Sequence, residues 1–578
     1  MKNGSQTHQP KVLIIGLDGA TFELIKPWVT AGQLPTFKRL LQEGTQADLE
    51  STIPPITPPA WTSLMTGMNP GKHGVFNFTE YRPTDHSIRY ANASNRRVPT
   101  VWKLLNTLGW SVGVINVPMT YPPEEVRGFC ISGLDTPDKD SDFVYPRWLR
   151  QEIEHAVGEI YLDPRHLGYM RADDKRDKIL EALVRIENRR TQIAAYLLKK
   201  YPVDVMMLVY TATDTVQHFF WNYLDPRHPA YDPLGAEKYG DAILNIYRAI
   251  DADIATLLDA VPSECAVIVV SDHGGGPVSG RMIHLNQYLH ELGLLAYKHG
   301  SVGAPKRFLH RCISGLDGYL RGVLSPRHKS TLARLFPTLR AKWESYATAL
   351  TMIDWEATQA YGLEFLAFPS EIWINVKGRT PQGLVKPGAD YEQVVEFLTE
   401  QLLALQDTAT GQRLIHRVYH KDEVYRGPYV DHAPDLMFSW WDDGGLESRK
   451  STPGAKHPSL RTSAADGAEL AASWSGTHRL HGILVMTGAP FRTGAALSQA
   501  HITDIAPTLL YLLGAPIPTE MDGRVLLEGF DPAYQASHPV HYQQGSLPAQ
   551  VSERSAAIYT MAEAEKIQAR LKDLGYID

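Results

Sequence analysis

Three apolar runs in this chain each close on an aspartate: VLIIGLD ends at Asp18, VMMLVYTATD at Asp214 and AVIVVSD at Asp272. Runs of Val, Ile and Leu this short and this uninterrupted fit strands buried on both faces, the habit of a mainly parallel sheet covered by helices. Ser111 to Ile115 and Ile483 to Met486 read the same way, and Val12 to Leu17, Val205 to Tyr210 and Cys265 to Val270 are the other strand expectations. Between them Ile179, Leu183, Ile186, Ile193 and Leu197 recur at helical spacing, which predicts an amphipathic helix laid over one sheet face. The fold class is α/β, with a mainly parallel central sheet flanked by helices. Open sheets of this kind bind ligands beyond the carboxyl ends of their strands, so Asp18, Asp214 and Asp272 are expected to converge there.

Two of these acids have a histidine in reach. His218 follows Asp214 by one helical turn, which puts both side chains on one face, and His273 adjoins Asp272 just before three glycines that free the backbone. Mixed carboxylate and imidazole donors suit a divalent cation, zinc first and manganese as an alternative. Taken singly, each pair also has a plain reading, because Asp at a strand end caps helices and His is often a satisfied core residue.

The segment TIPPITPPAWTSLMTG holds Thr57 between prolines ahead of an expected helix. A helix N-terminus attracts phosphate through free amides and its dipole, so Thr57 reads either as a nucleophile at an anion site or as an N-cap threonine.

The balance of 57 basic and 64 acidic residues, a formal charge of -7 over 578 residues, argues against a nucleic acid polymer or an anionic membrane as partner. A small-molecule substrate fits better; the oligomeric state is not written in the sequence. Cys130, Cys265 and Cys312 are too few and too scattered for a disulfide framework or a thiolate metal site. The N-terminus shows no signal-peptide pattern, and no apolar run approaches the ~18 residues of a membrane span, so a cytoplasmic location is expected.

One catalytic domain over residues 10–528 accounts for the strand pattern. A basic insertion at about 300–350 carries Lys306, Arg307, Arg311, Arg321, Arg327, Lys329, Arg334, Arg340 and Lys342, and reads as a helical cap, either a solvated face or a lid. Residues 451–475, rich in Pro, Gly, Ala and Ser, read as a mobile loop. A C-terminal extension over 529–578 ends in a helix opened by a Thr560/Glu563 capping box and stopped at Gly575.

GLDG around Asp18, TPPAWTSLMTG with MNPGKHGVFNF after it, TDTVQH, SDHGG, SGTHRLHG and HITDIAPTLLYLLGAPIPTEMDGRVL together resemble the alkaline phosphatase superfamily, in its nucleotide pyrophosphatase and type I phosphodiesterase branch. The resemblance implies that Asp214, His218 and His478 hold one metal ion, and that Asp18, Asp272, His273 and the Thr57 oxygen hold another. It places Thr57 at the nucleophile position, with a covalent phospho-threonine formed and then hydrolysed. Metal coordination would activate the hydroxyl without a paired base, and two cations would steady the attacking and leaving oxygens.

The departures matter too. Pro58-Pro59-Ala60 stands where the branch has Phe-Pro-Asn, which removes a polar contact beside the phosphate. The phosphate-binding asparagine falls at Asn77, one position off in a gapless match, and His481 lies close enough to His478 to compete as ligand. Phe219, Phe220 and Trp221 read as a stacking platform for a leaving group or as core. A sulfatase is excluded because no CxPxR-like context surrounds Thr57. A phosphomonoesterase or phosphotransferase, or a non-catalytic phosphate-binding protein on the same scaffold, are the rival readings.

Overall fold

The computed structural model describes residues 10–162, 176–298, 349–364, 370–407, 410–442, 445–449, 451, 458–463, 474–545 and 559–574. A nine-stranded sheet sets the architecture. Its strands are β1 (Val12–Leu17), β2 (Thr45–Glu50), β3 (Val112–Ile115), β4 (Gly128–Ile131), β5 (Val144–Tyr145), β6 (Val205–Tyr210), β7 (Ala266–Val270), β8 (His481–Thr487) and β9 (Ala500–His501). They lie in the order β9-β2-β8-β7-β1-β6-β3-β4-β5.

Every residue of β1, β6 and β7 is buried, which is why their sequences show no alternation. These three strands run parallel, with Val12 opposite both Val205 and Ala266, and Leu17 opposite Tyr210. The segments that carry Asp18, Asp214 and Asp272 therefore leave the sheet at the same end. Alternate residues of β1 serve opposite faces: Leu13, Ile15 and Leu17 join one core with Ile179, Leu183, Ile193 and Leu197, whereas Val12 and Ile14 join another with Trp61 and Leu64.

The expected strand at Ile483 to Met486 forms, but β8 runs antiparallel to both β7 and β2. An apolar run encodes burial, not direction. The helix read from Ile179 to Leu197 is α2 (Arg176–Lys200), preceded in the chain by α1 (Thr57–Thr66) and followed by α3 (Ala212–Leu224). A four-stranded antiparallel sheet of Ala360–Gly362, Glu371–Ile374, Leu436–Phe438 and Val418–His420 builds a further core around Ile372, Trp373 and Leu398.

The basic stretch from Lys306 to Lys342 and Cys312 lie outside the described residues. Within 451–475, Leu460–Arg461 pairs with Met282–His284 and Ser451 bonds the buried Glu364, and the greater part of the stretch read as a mobile loop, 452–457 and 464–473, lies outside the described residues. The C-terminal helix spans Met561–Leu574, with Glu563 N–H donating to Thr560 Oγ1 at 3.3 Å and Thr560 N–H donating to Glu563 Oε2 at 2.7 Å. It docks through Arg570, which donates to Leu134 O at 2.9 Å. Among the described residues no helix is long and apolar enough to cross a membrane.

Candidate metal centre

Thr57 is the first residue of α1, and the N-cap is Ile56, with no side-chain cap bond. The hydroxyl is thus not used as a cap, and the N-cap reading falls. Thr57 is fully buried, and its Oγ1 lies 3.4 Å from His273 Nε2. The same nitrogen lies 3.5 Å from Asp18 Oδ1 and 3.3 Å from Asp272 Oδ2, two buried oxygens that have no hydrogen-bond partner.

A second set adjoins the first. His218 Nε2 lies 3.0 Å from Asp214 Oδ1 and 3.2 Å from His478 Nε2, and His478 Nε2 is 3.6 Å from the same Asp214 oxygen. Donor atoms of Asp214, His218 and His478 all fall within 4.8 Å of one another, and so do those of Asp18, Asp214 and His273. Asp214 stands in both groups, a sharing that its sequence neighbourhood did not suggest.

The backbone fixes the imidazole tautomers. His218 Nδ1 bonds Gly476 O at 2.8 Å, His273 Nδ1 bonds Gly274 O at 3.0 Å and His478 Nδ1 bonds Pro55 O at 2.8 Å. A carbonyl oxygen can only accept, so each Nδ1 carries a proton, and Nε2 is the atom each ring turns inward, with a bare lone pair whenever the ring is neutral. Three lone pairs and three carboxylates facing one space repel each other unless cations lie between them. The titration behaviour agrees. Burial and the charges of Asp272 and Asp214 push Asp18 well up, and burial, opposed by His273, pushes Asp272 up to about 6. Burial and His273 hold His478 well below the usual histidine range.

The spacing fits metal ligation. Ligands at ~2.0–2.1 Å around a tetrahedral zinc ion lie about 3.4 Å apart, and the separations here run from 3.0 to 3.6 Å. The 3.3–3.6 Å separations exceed the usual hydrogen-bond range, and only His218 comes closer, 3.0 Å from Asp214 and 3.2 Å from His478, so the set as a whole suits donors around shared ions.

Against this geometry the sequence comparison is decisive: the family model for type I phosphodiesterase / nucleotide pyrophosphatase matches residues 12–453. The chain belongs to this family. Membership makes it a hydrolase of phosphoester bonds, from a family of metal-dependent enzymes. No curated protein sequence matches. Among solved structures, murine ectonucleotide pyrophosphatase / phosphodiesterase 5 is 15% identical, with 90% of this chain and 100% of that one covered and a TM-score of 0.47. Phosphonoacetate hydrolase from Sinorhizobium meliloti 1021, in complex with phosphonoformate, is 14% identical over 88% of this chain and 96% of that one, with a TM-score of 0.47.

Other residues singled out from the family pattern part company here. His478 sits on Gly476–Arg479, which pairs antiparallel with Gly274–Pro277 and sets His478 opposite Gly275, its ring stacked on His273 at 3.7 Å. His481 is instead exposed on β8, opposite Glu50. Asn77 donates to Glu371 Oε1 at 2.7 Å and accepts from Phe78 N–H at 2.8 Å, in a pocket lined by Phe76, Tyr81 and Trp373 but by none of the metal-site residues. Phe220 and Trp221 belong to the core.

The start of α1 is poor in free amides, contrary to the expectation from sequence. Pro58 and Pro59 have no N–H, and Ala60 N–H bonds Ile56 O at 3.1 Å, so Thr57 supplies the first turn's only remaining backbone donor.

Two supporting residues escaped the sequence reading. Trp61, one turn along α1 from Thr57, donates to Asp18 Oδ2 at 3.1 Å. Trp474 stacks on the His218 ring at 3.8 Å. Only Trp61 left a trace in sequence, as the aromatic residue four positions after Thr57, where the helical period returns to the same face. Gly16 and Gly19 are small for a reason: a Cβ on Gly16 would meet the Trp61 ring at 2.5 Å, and one on Gly19, at φ +66, would meet Asp214 Oδ1 at 2.8 Å.

Proposed function

We propose that the chain is a two-cation phosphodiesterase of the nucleotide pyrophosphatase type, acting through a covalent phospho-threonine on Thr57. The observation that carries this reading is the convergence of Thr57 Oγ1, Asp18 Oδ1 and Asp272 Oδ2 within 3.3 to 3.5 Å of one imidazole lone pair. Asp214, His218 and His478 would hold one cation; Asp18, Asp272, His273 and the Thr57 oxygen would hold the other, with Asp214 adjoining both. Zinc suits this donor set. When bound, the two cations would lower the proton affinity of the hydroxyl and withdraw charge from phosphorus.

The chain's own groups do the rest. Carbonyl contacts hold each imidazole in one tautomer, and Trp61 holds Asp18 in one orientation, so the donor set is organised before substrate arrives. Thr57 Oγ1 forms the new bond to phosphorus while the bond to the leaving oxygen breaks. Water then cleaves the phospho-threonine, and the protons released and taken up exchange with solvent. Asn77 is left out of the proposed phosphate contacts because its carboxamide serves Glu371.

Metal content and turnover of Asp272→Ala and Thr57→Ala test the reading. Near-normal hydrolysis of bis-p-nitrophenyl phosphate by both variants would defeat it. Rates on p-nitrophenyl phosphate, bis-p-nitrophenyl phosphate and a phenylphosphonate ester separate a diesterase from the monoesterase and phosphotransferase rivals. Stoichiometric metal with no hydrolysis of any of the three would point to the non-catalytic binder.

A further inference from the structure

Asp214 and His218 occupy the first turns of α3, and that helix begins without a cap of its own. Its N-cap Thr211 has φ -106 and ψ -12, close to helical, and makes no side-chain cap bond. Helix N-termini leave backbone N–H groups that need acceptors, and this one is buried. The acceptor comes from another helix. Glu187, on α2 and 2% exposed, accepts from Thr211 N–H at 2.8 Å and from Ala212 N–H at 2.7 Å, both on Oε1. Its Oε2 pairs with Arg190, one turn along α2.

Asp214 stands three residues after Thr211, the position from which an acidic or amide side chain commonly turns back to bond the N-cap N–H. Glu187 already occupies that N–H. The Asp214 carboxylate is thereby released from capping and turns instead toward His218 at 3.0 Å and His478 at 3.6 Å. The neighbouring contacts act in the same direction. Thr191, on the same α2 face, shares a 2.6 Å hydrogen bond with the Tyr210 hydroxyl, so α2 grips the β6 to α3 turn on both sides of Thr211.

We infer that Glu187 is a positioning residue of the metal centre: by capping α3 from α2 it frees Asp214, the carboxylate common to both donor groups, to face the imidazoles. This rests on the two-cation reading above. It requires that removing the Glu187 acceptor weaken metal binding by more than a generic loss of stability would.

The experiment compares zinc affinity, by competition with a chromophoric chelator, for full-length wild type, Glu187→Ala, Glu187→Gln and Leu197→Ala. Leu197 is a fully buried residue of the same helix, remote from the capping contact in the chain, and serves as the packing control. Glu187→Ala is expected to lose on the order of 10-fold in zinc affinity, the scale of a lost outer contact to a ligand. Glu187→Gln, which keeps an acceptor oxygen for the two N–H groups, should stay within about 3-fold of wild type, and Leu197→Ala should bind zinc as wild type does despite melting earlier. Should Glu187→Ala not fold, Glu187→Asp, whose carboxylate is drawn back by one methylene, carries the same comparison. Unchanged affinity in Glu187→Ala (or in Glu187→Asp, where that stands in for it), a loss in Glu187→Gln as large as in Glu187→Ala, or an equal loss in Leu197→Ala, would overturn the role of Glu187 alone. Wild type that takes up no zinc or manganese would instead overturn the cation reading itself.

Discussion

The indole N–H of Trp61 donates to Asp18 Oδ2 at 3.1 Å while Asp18 Oδ1 has no hydrogen-bond partner, so one residue of the Thr57 helix fixes which carboxylate oxygen is left for a cation. Trp61→Phe keeps most of the ring and removes the donor. We expect kcat/KM on a diester to fall by about 10-fold to 100-fold at saturating metal, with a stability loss of about 1–3 kcal/mol from the unpaired buried oxygen. Steady-state kinetics and denaturant melts check both.

Thr57→Ala removes the attacking oxygen and should lower kcat by at least about 10³-fold. Thr57→Ser retains a hydroxyl and should retain measurable turnover. Acid quench during hydrolysis of a labelled substrate should trap phosphate on wild type and on the serine variant, but none on the alanine variant.

On the two-cation proposal, chelation should destabilise the protein, because the cations would bind the folded donor set and the unfolded chain has no such set. With free zinc at 100 times its dissociation constant the stabilisation is about 2.7 kcal/mol. Tm should therefore drop on adding a chelator and recover on adding zinc, whereas Asp272→Ala should respond much less.

Glu371 supplies a pH test away from the metal ligands. Burial pushes its carboxyl up to about 7, with the Asn77 hydrogen bond a partial offset. Between its ordinary range near 4.5 and about 7 the folded protein holds a proton that the unfolded chain has released, so stability falls as pH rises through that window. The full effect is of order 3 kcal/mol. Glu371→Gln should flatten this loss, so that the variant gains on wild type between pH 5 and pH 8 in urea unfolding.

Asn77→Ala should behave as a structural substitution. Glu371 loses its 2.7 Å side-chain donor, at a cost of about 1–3 kcal/mol, while KM for phosphoesters stays within about 3-fold. A much larger rise in KM would return Asn77 to the phosphate site.

Much of the architecture was legible because burial on both faces leaves a local trace. The uninterrupted apolar runs of β1, β6 and β7 announced a parallel sheet, and the acids at their ends announced where chemistry would gather. β2 was not anticipated, since its six residues TQADLE alternate between buried and partly exposed positions and carry few apolar side chains. The four-stranded antiparallel sheet escaped for a related reason: three of its strands have only three residues each, too few to show a period.

By itself the sequence determined the family, the strand ends and the donor types, because each is recorded in residues adjacent in the chain. Tertiary structure decided the rest. It brought His478 rather than His481 beside Asp214 and His218, gave Asn77 to Glu371, relieved Thr57 of capping, and set Asp214 between two donor groups. Each outcome depends on which carbonyl, carboxylate or indole from a distant segment arrives within about 3 Å of a side chain, the reach of a hydrogen bond.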